Sequence, residues 1–185
     1  KNVLNSSEYG VSQKRERFFI IGFSKEKFSS DIIEKFTENL NFQKEKPKIL
    51  KELLSDLKDN PLTCNAKVVY VKNPVLRTNS FGGYLFNGSG RPVNANHYSM
   101  TLVATMGGNR TPIIDTEAMY NNKPDYLEDY YAELKSGGKI REGTPPDFIR
   151  RLTINECKRI QSFPDNYYFY GKNCSVYRQI GNAVP

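Results

Sequence analysis

The chain has no tryptophan, a single histidine (His97), three cysteines and three methionines in 185 residues. Each scarcity removes a class of chemistry. Cys64, Cys157 and Cys174 are odd in number and widely spaced, and no Cys-x-x-Cys pair is present. Reduced, structural thiols are therefore expected, and no metal site. No apolar run approaches the roughly 20 residues that cross a bilayer. Nor does a basic segment lead into a small-residue cleavage site near the first residues. A cytoplasmic protein without a membrane partner is the expectation. Internal repeats and low-complexity segments are also lacking. A mean hydropathy of −0.62 points to a modest core and much polar surface.

What is present begins with charge. Lys and Arg number 27 against 20 Asp and Glu, a net +7. That excess favours an anionic partner, since neutralising phosphate supplies affinity without sequence choice. A solvated basic face is the plainer reading of charge alone. The length suits one ordinary domain, or a small domain with part of another.

Phe18 to Phe23 is a short apolar run that reads as a buried strand, with Val3-Leu4-Asn5 a second strand and Tyr9-Gly10 a turn. Residues 24–60 are rich in Lys, Glu, Leu and Ile. Ile32, Ile33, Phe36 and Leu40 suit a helix with Ser30 as N-cap. Ile49, Leu50, Leu53, Leu54 and Leu57 form one face of a second helix, stopped by Pro61. From Ala66 to Thr116 the pattern turns to strands, at 67–71, 82–88, 100–105 and 112–115. Residues 121–146 read as a loop or partial helix. Thr153 with Glu156 three residues on is a capping box, opening a helix through Cys157, Ile160 and Gln161.

Gln13, Arg15 and Arg17 alternate, so an extended chain projects all three to one face. Two neighbouring guanidiniums require a phosphate, carboxylate or base edge between them. Surface pairing of Arg15 and Arg17 with Glu8 and Glu16 is the competing reading. Arg151 and Arg159 could likewise pair with Glu156 or with carboxylates elsewhere. Between them, Asn87-Gly88-Ser89-Gly90-Arg91 and Gly107-Gly108-Asn109-Arg110 read as hairpin turns or as loops whose glycines let the backbone approach a ligand.

Tyr9-Gly-Val-Ser-Gln-Lys-Arg-Glu-Arg-Phe18, Arg150-Arg151-Leu-Thr with Glu156, Arg159, Gln161 and Phe163-Pro164, and Gln179-Ile-Gly-Asn-Ala-Val-Pro185 occur in that order. Together they resemble the closing motifs of bacterial DNA (cytosine-5) methyltransferases. Ser12 stands where that family usually has proline. The resemblance implies a mixed α/β fold: the last strand and closing segment of a Rossmann-like methyltransferase domain, flanking a small β-rich target-recognition domain. It implies boundaries at 1–23 for the end of the catalytic domain, 24–60 for a helical connector, 61–149 for target recognition and 150–185 for the returning motifs.

By the same resemblance, Gln13, Arg15 and Arg17 support the catalytic pocket. Asn182, Ala183 and Val184 lie on the S-adenosyl-L-methionine side. Ser99 to Asn109 resembles the Thr-Leu-x-Ala segment of the family's recognition domains, so Thr101, Leu102, Ala104, Asn109 and Arg110 join Arg91 as DNA-binding candidates. Arg91 suits a bidentate contact with guanine. The family's nucleophile is a cysteine following proline, whereas Cys64, Cys157 and Cys174 follow Thr63, Glu156 and Asn173. A strand–Gly-x-Gly cofactor turn is missing as well. The implied partners are duplex DNA and the N-terminal catalytic portion of the same enzyme. Two rivals stand beside this reading: a relative that methylates cytosine in transfer RNA, and a stand-alone DNA-binding module.

Overall fold

The computed structural model describes residues 2–185. Six short strands and six α-helices make a mixed α/β architecture. The strands form three separate antiparallel pairs. β1 (Asn2–Asn5) pairs with β2 (Glu16–Phe19), β3 (Tyr70–Val75) with β4 (Tyr84–Phe86), and β5 (Ile113–Asp115) with β6 (Ile149–Arg151). The helices are α1 (Ile32–Phe42), α2 (Leu50–Leu53), α3 (Thr116–Tyr120), α4 (Tyr126–Lys135), α5 (Ile154–Ile160) and α6 (Asn173–Asn182).

One core joins distant parts of the chain. Leu50 and Leu54 pack with Leu102, Ile114, Leu152, Cys157, Ile160, Tyr177 and Ile180, all fully buried. A second cluster forms from Val68, Tyr70, Leu85, Phe86, Ile113, Leu127, Tyr130 and Ile149. α5 starts as the sequence predicts. The Thr153 hydroxyl accepts from the Glu156 N–H and the Glu156 carboxylate accepts from the Thr153 N–H, which completes the capping box.

Several expectations are corrected. The strand near Phe18 is not buried: Phe18 is 59% and Ile20 69% exposed, because a two-stranded hairpin leaves one face uncovered. Val3 lies opposite Phe18 on that bare face. α1 is preceded by Asp31, not Ser30, and no side-chain cap bond forms there. The second expected helix shortens to α2 followed by a 3-10 turn at Ser55–Leu57. Residues 100–105 are no strand. Backbone groups that a ladder would have used are taken there by side chains of the N-terminal motif. In the stretch read as a loop or partial helix, the helix is the outcome: α4, opened by the Asp125 carboxylate accepting from the Leu127 N–H. With α3 and α4 in it, the 61–149 region is mixed α/β and not β-rich.

Candidate functional site: a junction of three motifs

Residues 12–15 run extended beside Ser99, with Ser99 N–H donating to Ser12 O at 2.9 Å and Lys14 N–H to Ser99 O at 2.8 Å. Ser12, buried, also donates through its hydroxyl to Lys48 O at 2.8 Å. Strand alternation then sends Gln13, Arg15 and Arg17 to one side, while Lys14, Glu16 and Phe18 face out.

Gln13 is completely buried and uses both ends of its amide. Its Oε1 accepts from Leu102 N–H at 2.7 Å, and its Nε2 donates to Gln161 Oε1. Gln161 passes the chain on, donating from Nε2 to Ala183 O at 2.6 Å. Arg15 runs parallel to this relay. It donates to Leu102 O at 2.9 Å and to Gly181 O at 3.1 Å. Both backbone polar groups of Leu102 are thus held by one motif, and the closing motif is tied to the same point. Gly181 completes the junction: a Cβ there would lie 2.3 Å from Val103 O and 2.7 Å from Ala104 N, so only glycine admits this approach.

Arg15 is a buried cation surrounded by carbonyls, and its Nε finds no partner among the described residues. Burial lowers its pKa below the ordinary arginine value, and Arg17 adds to this. Arg17 donates only to Glu16 O among the described contacts. The surface pairing considered for these arginines does not occur. Glu8 pairs with Lys44 at 2.9 Å and Glu16 with Lys14 at 3.4 Å. Arg15 and Arg17 instead line a cavity of about 180 Å³ together with Leu4, Tyr9, Val184 and Pro185. Asn182 is exposed, Ala183 half-buried and Val184 56% exposed.

Leu102 is fully buried in the core, which removes its side chain as a DNA contact. Thr101 is exposed, with its hydroxyl donating to Lys14 O at 2.6 Å; Ala104 is half-buried. Asn109 and Arg110 are both exposed. The glycine loops pack on each other. A Cβ at Gly88 (φ +76°) would lie 2.1 Å from Asn109 O, and one at Gly90 would lie 2.0 Å from Thr111 O. Arg151 clamps the pair from beneath, donating to Thr111 O at 2.8 Å, Asn87 O at 2.9 Å and Asn87 Oδ1 at 3.0 Å. Arg91 stands at the surface, its guanidinium 3.1 Å above the Tyr84 ring, with one donor spent on Ser89 O.

The partner of Glu156 is neither Arg151 nor Arg159. Arg150 meets it bidentately at 2.8 and 2.9 Å, while Arg159 pairs with Asp165 at 2.7 Å and also with Asp56. Burial opposes the charge on Glu156, but Arg150 and the Tyr120 hydroxyl outweigh it and hold the carboxyl below its ordinary range. The loop clamp of Arg151 and the Gln13–Gln161 bond escaped sequence reasoning. Gly88 and Gly90 were the visible sign of the former, whereas nothing local connects residues 148 positions apart. The three thiols are free, and among the described residues no His, Cys, Asp and Glu cluster could hold a metal. Among the described residues no helix is long and apolar enough to cross a membrane.

A mixed α/β chain thus ties its N-terminal motif to Gln161 and to the closing motif, beside a cavity lined by Arg15 and Arg17. The chain belongs to the C-5 cytosine-specific DNA methylase family, whose model matches residues 1–185. It is similar to the type II methyltransferase M.FnuDI of Fusobacterium nucleatum, 32% identical over 99% of this chain and 50% of that protein. It is likewise similar to M.MthTI of Methanothermobacter thermautotrophicus, 30% identical over 99% of the chain and 51% of the relative. M.HpaII of Haemophilus parainfluenzae is 29% identical over 98% and 46%. The chain therefore spans about half the length of the curated relatives it matches. These likenesses do not favour the transfer-RNA or stand-alone binding readings.

Proposed function

We propose that residues 1–185 are the target-recognition and closing portion of a DNA (cytosine-5) methyltransferase of a restriction-modification system. In this reading 1–23 ends the catalytic domain, 24–60 connects, 61–149 reads DNA and 150–185 returns to the catalytic domain. The observation that carries it is the junction in which Gln13 and Arg15 hold Leu102, Gln161 and Gly181 together beside the Arg15–Arg17 cavity.

Duplex DNA meets the basic loops 87–91 and 107–110, with Arg91 toward a guanine edge and Arg110 and Asn109 toward bases or phosphate. Arg15 and Arg17 face the extruded cytosine, because Arg15 is a preorganised cation without a protein anion. The exposed amide of Asn182 and the apolar wall of Val184 fit one edge of an S-adenosyl-L-methionine site. When bound, that group supplies the methyl carbon. Residues 1–185 offer no cysteine after proline, and Cys157, the most buried thiol, has its pKa pushed well up by burial, the opposite of an activated nucleophile. The nucleophile is therefore assigned to the N-terminal portion.

The test mixes this chain with the N-terminal portion, duplex DNA and labelled S-adenosyl-L-methionine. Each part by itself is expected to leave cytosine unlabelled, and the mixture to methylate one defined sequence. Label entering cytosine with this chain by itself, or preferential labelling of transfer RNA by the mixture, overturns the reading.

A further inference from the structure

Tyr84 carries more charge on its ring than one arginine supplies. The Arg91 Cζ lies 3.1 Å from its centroid, and the Arg77 Cζ 5.7 Å. Neither arginine forms an ion pair among the described residues. Two like charges gathered on one ring repel. Burial lowers the pKa of Arg91 below its ordinary value and Arg77 contributes to that lowering. A single guanidinium satisfies the ring; the second leaves net positive charge that no carboxylate among the described residues pairs with.

The backbone under this cluster is held by short-range contacts, with Arg77 exposed and Tyr84 and Arg91 half-buried. Tyr84 opens β4 opposite Val75 of β3. A Cβ at Gly83 would lie 2.8 Å from Val75 O, so the hairpin closes tightly there. Asn79 Oδ1 accepts from Phe81 N–H at 3.1 Å and Gly82 N–H at 2.8 Å, building the turn between the strands. The Tyr131 hydroxyl donates to Arg77 O and fastens that turn to α4. Arg77 is exposed, and Arg91 retains donors beyond the one given to Ser89 O.

We infer that Arg77, Tyr84 and Arg91 form one duplex-DNA contact unit. Tyr84 is its positioning residue, holding the Arg91 guanidinium toward a base edge while Arg77 neutralises a neighbouring backbone phosphate. The inference rests on the DNA reading above and extends it to two residues no motif indicates. The geometry splits the labour in a measurable way: phosphate contacts set salt dependence, and base contacts set sequence choice.

In the complete enzyme, binding to cognate and altered duplexes is measured across a salt series. Arg77→Ala is expected to weaken both duplexes alike and to reduce the slope of log K against log salt by about 0.9, the value of one phosphate. Tyr84→Ala is expected to lose discrimination by roughly tenfold at the same single base pair as Arg91→Ala, with the salt slope kept. Tyr84→Phe retains the ring and should restore discrimination. An unchanged slope for Arg77→Ala, or undiminished discrimination in a folded Tyr84→Ala or Tyr84→Leu enzyme, overturns the inference. Arg77 is exposed, so its arm stands even where the Tyr84 variants do not fold. An enzyme that methylates DNA while failing these tests sinks the contact unit and leaves the DNA reading intact; one that binds no duplex DNA sinks the reading itself.

Discussion

The segment from β6 to α6 and the hairpin of β1 and β2 with α1 carry motifs of equal clarity, yet they are satisfied in opposite ways. The closing segment buries Leu152, Cys157, Ile160, Tyr177 and Ile180 completely. It also surrounds Glu156 with donors from Arg150, Tyr120 and the Thr153 backbone. The N-terminal elements bury no apolar side chain: α1 has none, and Val3, Phe18 and Ile20 lie open on one face of the hairpin. Contiguous apolar surface of this kind marks an interface. On the reading proposed above, the difference separates a segment with its own buried core residues from one whose open apolar face is offered to the N-terminal catalytic portion.

The contrast breaks most severely at Glu156. Glu156→Gln leaves Arg150, whose side chain is 15% exposed, without its counter-charge. A loss of about 3–5 kcal/mol is expected in urea unfolding at pH 7, the cost of breaking one half of a buried pair. Because the folded carboxyl titrates below its ordinary range, its contribution is full above the unfolded value of about 4.3 and disappears as pH falls through the lowered folded value. The gap between variant and wild type should therefore close in acid. A gap unchanged down to pH 2 contradicts the ion-pair account.

Gly181→Ala comes next. The added Cβ meets backbone at 2.3 Å and must push α6 away from residues 103–104. Overpacking of this kind costs about 1–3 kcal/mol. Gly22→Ala in the open N-terminal region, where no atom lies within 4 Å, is expected to change stability by no more than about 0.5 kcal/mol. Thermal melting of the two variants side by side measures the contrast; equal shifts would erase it.

Local chemistry was legible wherever a few neighbouring residues determine the outcome. Thr153 and Glu156 announce their own capping box, and the alternation of Gln13, Arg15 and Arg17 needs only an extended backbone. Legibility failed where distant partners decide. Residues 100–105 have the composition of a strand, but Gln13 and Arg15 take the backbone groups of Leu102. Phe18 to Phe23 reads as buried because apolar runs usually are, and burial is a property of whatever lies opposite. Glu156 could have chosen Arg151 or Arg159 by spacing; the strand pairing of β5 with β6 presents Arg150 instead and turns Arg151 toward Thr111 and Asn87.

The bare hairpin face sharpens the comparison furthest. Phe18 is 59% exposed and faces Val3 across the strands, so Phe18→Ser gives up only the smaller part of its surface that this chain covers. Unfolding of the isolated chain should shift by about 1 kcal/mol, the cost of a half-exposed cross-strand pair. Association with the N-terminal portion should respond quite differently. An aromatic side chain at the centre of a protein interface costs about 2 kcal/mol or more when truncated, or roughly thirtyfold in Kd. Titration calorimetry of the two portions, wild type against Phe18→Ser, reads this directly. Unaltered affinity would mean that the apolar face has no partner in the catalytic portion. The N-terminal hairpin would then be an exposed surface and not half of an interface.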